Sequence, residues 1–141
     1  SYDQLINDGD RLQDEGRSGQ ARERYRAALA MRPGGCEALA GMGFVDLEDR
    51  ELSSAVSYFR RALDASPRYS EAWVGLGEAY TSMGRYEQAL DAYNHYLQVS
   101  PGGEHAHMAR RQIESLQERL HPQGSGATTT PGSAPPSTPG S

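Results

Sequence analysis

Lysine is missing from this chain of 141 residues: all 14 basic side chains are arginine, and against 19 acids they leave a net charge of −5. A phosphate backbone calls for clustered positive charge, so that balance argues against a nucleic-acid partner. The arginine-only set reads as codon bias in a GC-rich, bacterial genome. Cysteine is reduced to Cys36, which excludes an internal disulfide and a cysteine metal cluster and suits a reducing, cytoplasmic setting. No apolar run approaches the roughly 18 residues of a membrane span, so no membrane partner is expected. The start, SYDQLIND, has neither the basic residues nor the apolar stretch of an export signal. It also lacks an initial Met, and is read as a piece of a longer chain. Proline is scarce before His121, where only Pro33, Pro67 and Pro101 occur, 34 residues apart.

That spacing is the organising feature of what is present. Trp73, Leu76, Gly77, Tyr80, Gly84, Tyr86, Ala89, Tyr93, Tyr96 and Pro101 form a skeleton. Moved back by 34 it falls on Leu39, Met42, Gly43, Asp46, Arg50, Leu52, Ala55, Phe59, Ala62 and Pro67. Moved again it falls on Leu5, Asp8, Gly9, Leu12, Gly16, Ser18, Ala21, Tyr25, Ala28 and Pro33. Self-similarity at a fixed period decides the fold before local propensity does. Within each unit the apolar residues recur at helical spacing in two blocks, broken near Gly16, Arg50 and Gly84, so each unit is a helical hairpin. A glycine inside a helix costs about 1 kcal/mol against alanine. Gly9, Gly43 and Gly77 are expected to repay it by facing Ala21, Ala55 and Ala89, which lets the two helix axes approach. Tyr25, Phe59 and Tyr93 fill the space between hairpins, and each proline stops a second helix.

The predicted helices are 2–15 and 18–31, 36–49 and 52–65, 70–83 and 86–99, with a seventh over about 104–120. The apolar residues of the seventh, Ala106, Ala109, Ile113, Leu116 and Leu120, form one stripe with a charged remainder, as the capping end of a stacked array requires. From His121 the composition turns to Pro, Gly, Ser and Thr without a charged or large apolar side chain, and segment 121–141 is expected to be a disordered linker or tail.

In period and residues the chain resembles the tetratricopeptide repeat family, the last repeat closely and the first two with departures. The resemblance implies an all-α, right-handed superhelical solenoid of three antiparallel helix pairs plus a capping helix. Domain 1–120 would hold repeats of about 2–35, 36–69 and 70–103 and the cap. In such arrays the first helix of each pair lines the concave side. Here the three first helices carry eleven acids against Arg11 alone, whereas the three second helices carry Glu23, Asp64, Glu87 and Asp91 against Arg22, Arg24, Arg26, Arg60 and Arg61. The resemblance places the partner-binding positions at Ile6, Asp10 and Asp14, at Glu37, Ala40, Phe44, Leu47 and Glu48, and at Glu71, Val74 and Glu78. An apolar strip flanked by carboxylates favours a protein or peptide segment with apolar and basic residues. Chaperone-binding members of the family grip a C-terminal carboxylate with Lys, Asn and Arg; Ile6, Asp10, Gly41, Glu71 and Gly75 stand at those places, so an acidic chaperone tail is disfavoured.

No catalytic, cofactor or metal site is expected. His105 and His107, two apart on a helix, point about 100–200° away from each other, and with Glu104, His95 and His121 are read as surface residues. Cys36, although near a helix start, has no neighbouring base and is read as inert. Three residues depart from the family pattern: Asp8 and Asp46 at apolar positions without an evident partner, and Arg50 at the turn glycine. The first hairpin is therefore expected to be the least secure, with Tyr2, Leu5 and Leu12 forming an exposed apolar edge. The function expected is a non-catalytic interaction module; the alternative is a scaffold or oligomerisation element that self-associates through its end hairpins.

Overall fold

The computed structural model describes residues 1–122; the expected tail lies, from residue 123 on, outside the described residues. Among the described residues seven α-helices follow one another: α1 (Tyr2–Asp14), α2 (Ser18–Met31), α3 (Cys36–Glu48), α4 (Leu52–Ala65), α5 (Ser70–Ser82), α6 (Tyr86–Val99) and α7 (Ala106–Leu120). No strand occurs among the described residues. Each helix packs on its sequence neighbours, and α3 also touches α1 and α5, so three hairpins stack in order with α7 closing the end. The chain is an all-α solenoid. α7 begins at Ala106, two residues after the predicted start, because Glu104 and His105 still belong to the turns that follow Pro101.

The three turns inside the hairpins share one hydrogen-bond pattern. Gly16 and Gly84 have φ of 77° and Arg50 has φ of 63°, each the left-handed residue that ends a first helix. Behind it the next amide reaches back five residues, Arg17 N to Leu12 O at 2.8 Å, Glu51 N to Asp46 O at 2.8 Å and Arg85 N to Tyr80 O at 2.9 Å. Arg50 therefore takes the turn glycine's role in a conformation that disfavours a Cβ.

The helix glycines do something other than the expected glycine-to-alanine approach. A Cβ on Gly9, Gly43 or Gly77 would stand 2.6, 2.7 or 2.6 Å from the ring of Tyr25, Phe59 or Tyr93 in the same hairpin. Gly41 and Gly75 of the following hairpin press on Tyr25 and Phe59 from the other side, closer still. Each of these two rings is thus gripped between two glycines, and all three are essentially buried. Helix-interior glycine is explained by ring clearance, which repays its propensity cost through aromatic burial.

Two expectations are corrected. The apolar edge of the first hairpin is not open: Tyr2 and Leu12 are each only 3% exposed. The Tyr2 hydroxyl donates to Glu37 Oε1 at 2.8 Å and accepts from the Ala38 amide at 3.3 Å, while the Arg32 guanidinium lies 4.4 Å above its ring. Ser1 further caps α1 by a reciprocal pair with Gln4. Asp46 also has partners. It is 2% exposed, pairs with Arg22 of the preceding hairpin at 2.9 Å and accepts from the Ser54 hydroxyl. Asp8 needs none of this, being half-buried at the edge beside Arg11.

Candidate partner-binding groove

The first helices present a shallow cavity of about 430 Å³. Asp10, Gln13 and Asp14 of α1, Glu37, Gly41 and Phe44 of α3, and Glu71 of α5 line it, with Tyr25 behind them and Glu104 and His105 closing the α7 side. Helical spacing produces this convergence: residues three or four apart share a face, and the 34-residue period puts Glu37 and Glu71 at the same place in neighbouring units. The lining has five carboxylates, one histidine and no arginine. Phe44 supplies the apolar floor, its ring edge-on to Phe59 at 4.8 Å.

The polar groups differ in their ties. The Tyr25 hydroxyl donates to Asp10, with Gln13 Oε1 2.9 Å away; burial and that neighbouring carboxylate push the phenol well above its usual range. The Tyr2 hydroxyl bond holds the Glu37 carboxyl below the ordinary value, and burial pushes Tyr2 itself up to about 12. Glu78 moves the other way: burial raises it, His105 opposing and Glu71 adding. Cys36 is raised by burial and then by the charge of Glu37, the reverse of thiolate activation by a helix terminus.

The sequence-predicted positions divide into groups. Asp10, Asp14, Glu37, Phe44 and Glu71 come together in the cavity. Leu47 and Glu78 line a second depression, together with Arg50 and Met108. Ile6 packs against the core and is half-buried, and Glu48 turns toward α2, accepting from the Ser18 hydroxyl at 3.2 Å. Ala40 and Val74 are 2% and 3% exposed and belong to the core, so they support the groove from beneath and offer a partner almost no surface.

Sequence reasoning missed Glu104 and His105. His105 Nε2 stands 3.4 Å from Glu71 Oε1 and 3.5 Å from Glu104 Oε2, so this histidine, expected at the surface, is half-buried between two carboxylates. A signal was available: Asp3, Glu37, Glu71 and His105 are successive members of one 34-residue series, because α7 begins as the first helix of a further repeat would.

Comparison with known proteins agrees with this architecture. Residues 46–113 match the tetratricopeptide repeat family. Superkiller protein 3 of Schizosaccharomyces pombe is 40% identical over 60 residues, which make up 43% of this chain and 4% of that protein; the chain thus spans a small fraction of that relative's length. The Sgt2 TPR domain from Aspergillus fumigatus superposes with a TM-score of 0.79 at 24% identity, covering 89% of this chain and 83% of that one. The first TPR of Spaghetti bound to an HSP90 peptide gives a TM-score of 0.79 at 17% identity, with 84% and 94% covered. With the 34-residue hairpins, the ring-gripping glycines and the match in agreement, residues 46–113 carry tetratricopeptide repeats and the described chain has the fold of that family.

Proposed function

We propose that this chain is a non-catalytic interaction module whose concave face binds a segment carrying basic side chains beside an apolar anchor. The observation that carries the reading is the cavity itself: five carboxylates around Phe44, with no arginine among its lining residues. Such a surface steers cationic segments and rejects acidic ones by like-charge repulsion. The Spaghetti domain shares the fold while bound to an HSP90 peptide, but an acidic tail would here meet Asp10, Asp14, Glu37 and Glu71. The half-buried, unactivated Cys36 fits a reducing cytoplasmic setting, and the arginine-only composition fits a bacterial source.

Fluorescence anisotropy tests this with two labelled peptides of equal length, one alternating Arg and Leu, the other Glu and Leu. The basic peptide is expected to bind, more weakly as salt rises, and to be lost in a Glu37→Lys, Glu71→Lys double variant with unchanged circular dichroism. Equal binding of both peptides, or binding that survives the double reversal, overturns the groove assignment. The alternative, association through the end hairpins, predicts a concentration-dependent mass in light scattering; Tyr2 and Leu12 of the expected edge are buried within the chain and Leu5 is half-buried, which gives that reading less support.

A further inference from the structure

The cluster at the α7 end of the cavity shares Glu71 with the peptide reading, and its contacts are longer than charge-assisted hydrogen bonds. Charge-assisted N–H···O bonds have lengths of about 2.7–2.9 Å, whereas His105 Nε2 is 3.4 Å from Glu71 Oε1 and 3.5 Å from Glu104 Oε2. All three ligand atoms lie within 4.8 Å of one another. A zinc ion bound to nitrogen and oxygen at about 2.0–2.1 Å with tetrahedral angles holds its ligand atoms about 3.3–3.4 Å apart. The imidazole and the two carboxylates therefore stand near the spacing of a coordination shell.

We propose that Glu71, Glu104 and His105 form a binding site for a divalent transition-metal ion of the zinc class. One imidazole and two carboxylates suit such an ion, and the remaining position is open to water or to a group of a partner. The donors come from two elements. Glu71 lies in the first turn of α5, while His105 is the N-cap residue of α7 and Glu104 precedes it. The imidazole is not a free rotor. Its backbone N–H donates to the Tyr96 hydroxyl at 2.9 Å, and its ring stands edge-on to Tyr96 at 6.0 Å, which directs Nε2 toward Glu71. Asp10, Asp14 and Glu37 on the same cavity add negative potential without a compensating arginine in the lining. A bound ion would clamp the capping helix to the third hairpin.

The test is isothermal titration of zinc chloride into the full chain at neutral pH, with cobalt(II) absorption as a second readout. One equivalent is expected to bind. Loss of even an outer-shell partner weakens metal sites by about tenfold to a hundredfold; Glu104→Gln and His105→Ala, which each remove a ligand, are expected to weaken binding by at least about tenfold. Glu104 has a side chain 80% exposed, so its variant keeps the fold and isolates the ligand effect. His107→Ala and Cys36→Ser are expected to leave binding unchanged. The site is overturned if zinc does not bind, if binding survives both ligand variants, or if it disappears with Cys36→Ser. Glu71 is shared with the peptide reading, but Glu104→Gln and His105→Ala retain Asp10, Asp14, Glu37 and Glu71. Loss of zinc alone in these variants, with the basic peptide still bound, shows that the two readings stand or fall separately.

Discussion

α3 and α5 hold the same place in successive repeats, and among the equivalent positions at which these units differ are Asp46 against Tyr80, Arg50 against Gly84 in the turn that follows each helix, and Phe44 against Glu78. The first pair is the most instructive. Both side chains are buried, at 2% and 5% exposure, and both are met by an arginine from the second helix of the preceding hairpin. Arg60 Nε donates to the Tyr80 hydroxyl at 3.1 Å, and Arg22 lies 2.9 Å from Asp46. Tyr80 fills its position with a ring and needs help only at one neutral oxygen. Asp46 brings a full charge into the same seam and takes two partners, Arg22 and Ser54, while Arg22 also holds Asp49 at 3.0 Å. The repeat geometry thus sets where a polar tip must be met, and the residue in the position sets how much depends on the meeting.

The largest expected effect follows from stranding that charge. Removing one partner of a buried ion pair costs about 3–5 kcal/mol, so Arg22→Ala should lower the unfolding free energy from urea titration by that order. Adding Asp46→Leu, which copies Leu12 of the first repeat, should restore most of the loss. A change under about 1 kcal/mol would class the pair with surface salt bridges and break the comparison. At the α5 seam the expected effect is smaller: Tyr80→Phe keeps the ring and removes one hydrogen-bonding oxygen, at about 0.5–1.5 kcal/mol in the same measurement.

What could be read from the sequence follows the same division. Period, hairpin pairing and helix limits are carried by many residues at once, so Asp8, Asp46 and Arg50 could depart from the pattern without hiding it. The Arg22–Asp46 pair was hidden because its two members sit 24 positions apart and off the 34-residue register. Glu104 and His105 were hidden for another reason: treating α7 only as a cap stopped the register one repeat early, although His105 follows Glu71 by one period. Ala40 and Val74 were assigned to the groove by position alone, and their near-total burial shows that a first-helix position is not by itself an exposed one.

The turn pair sharpens the comparison at lower cost. Arg50 has φ of 63° where Gly16 and Gly84 have 77°, and an L side chain is disfavoured there, whereas glycine is not. After its larger unfolded-state entropy is offset, Arg50→Gly should raise stability by about 0.5–1 kcal/mol, seen as a higher urea midpoint. A loss instead would mean that the Arg50 side chain contributes more through its place beside Leu47 and Glu78 than its backbone forfeits.

The third pair gives the smallest effect and a pH signature. Phe44 belongs in a half-buried position beside Phe59, but Glu78 carries a carboxyl into its equivalent. Burial raises that carboxyl above its ordinary value, so the folded chain holds the proton more tightly than the unfolded one. The stability it lends is complete below the unfolded pKa and is lost as pH rises through the higher folded value. Glu37, lowered by the Tyr2 hydroxyl, has the opposite sign: its contribution is present above the unfolded pKa and lost as pH falls through the folded one. Urea midpoints taken from about pH 3 to pH 7 should therefore respond in opposite directions. Glu78→Gln removes a falling component and makes stability climb more steeply with pH, whereas Glu37→Gln flattens the climb. If both variants shift the slope the same way, the two carboxyls share one electrostatic environment, and the difference drawn between the α3 and α5 positions fails at the groove wall.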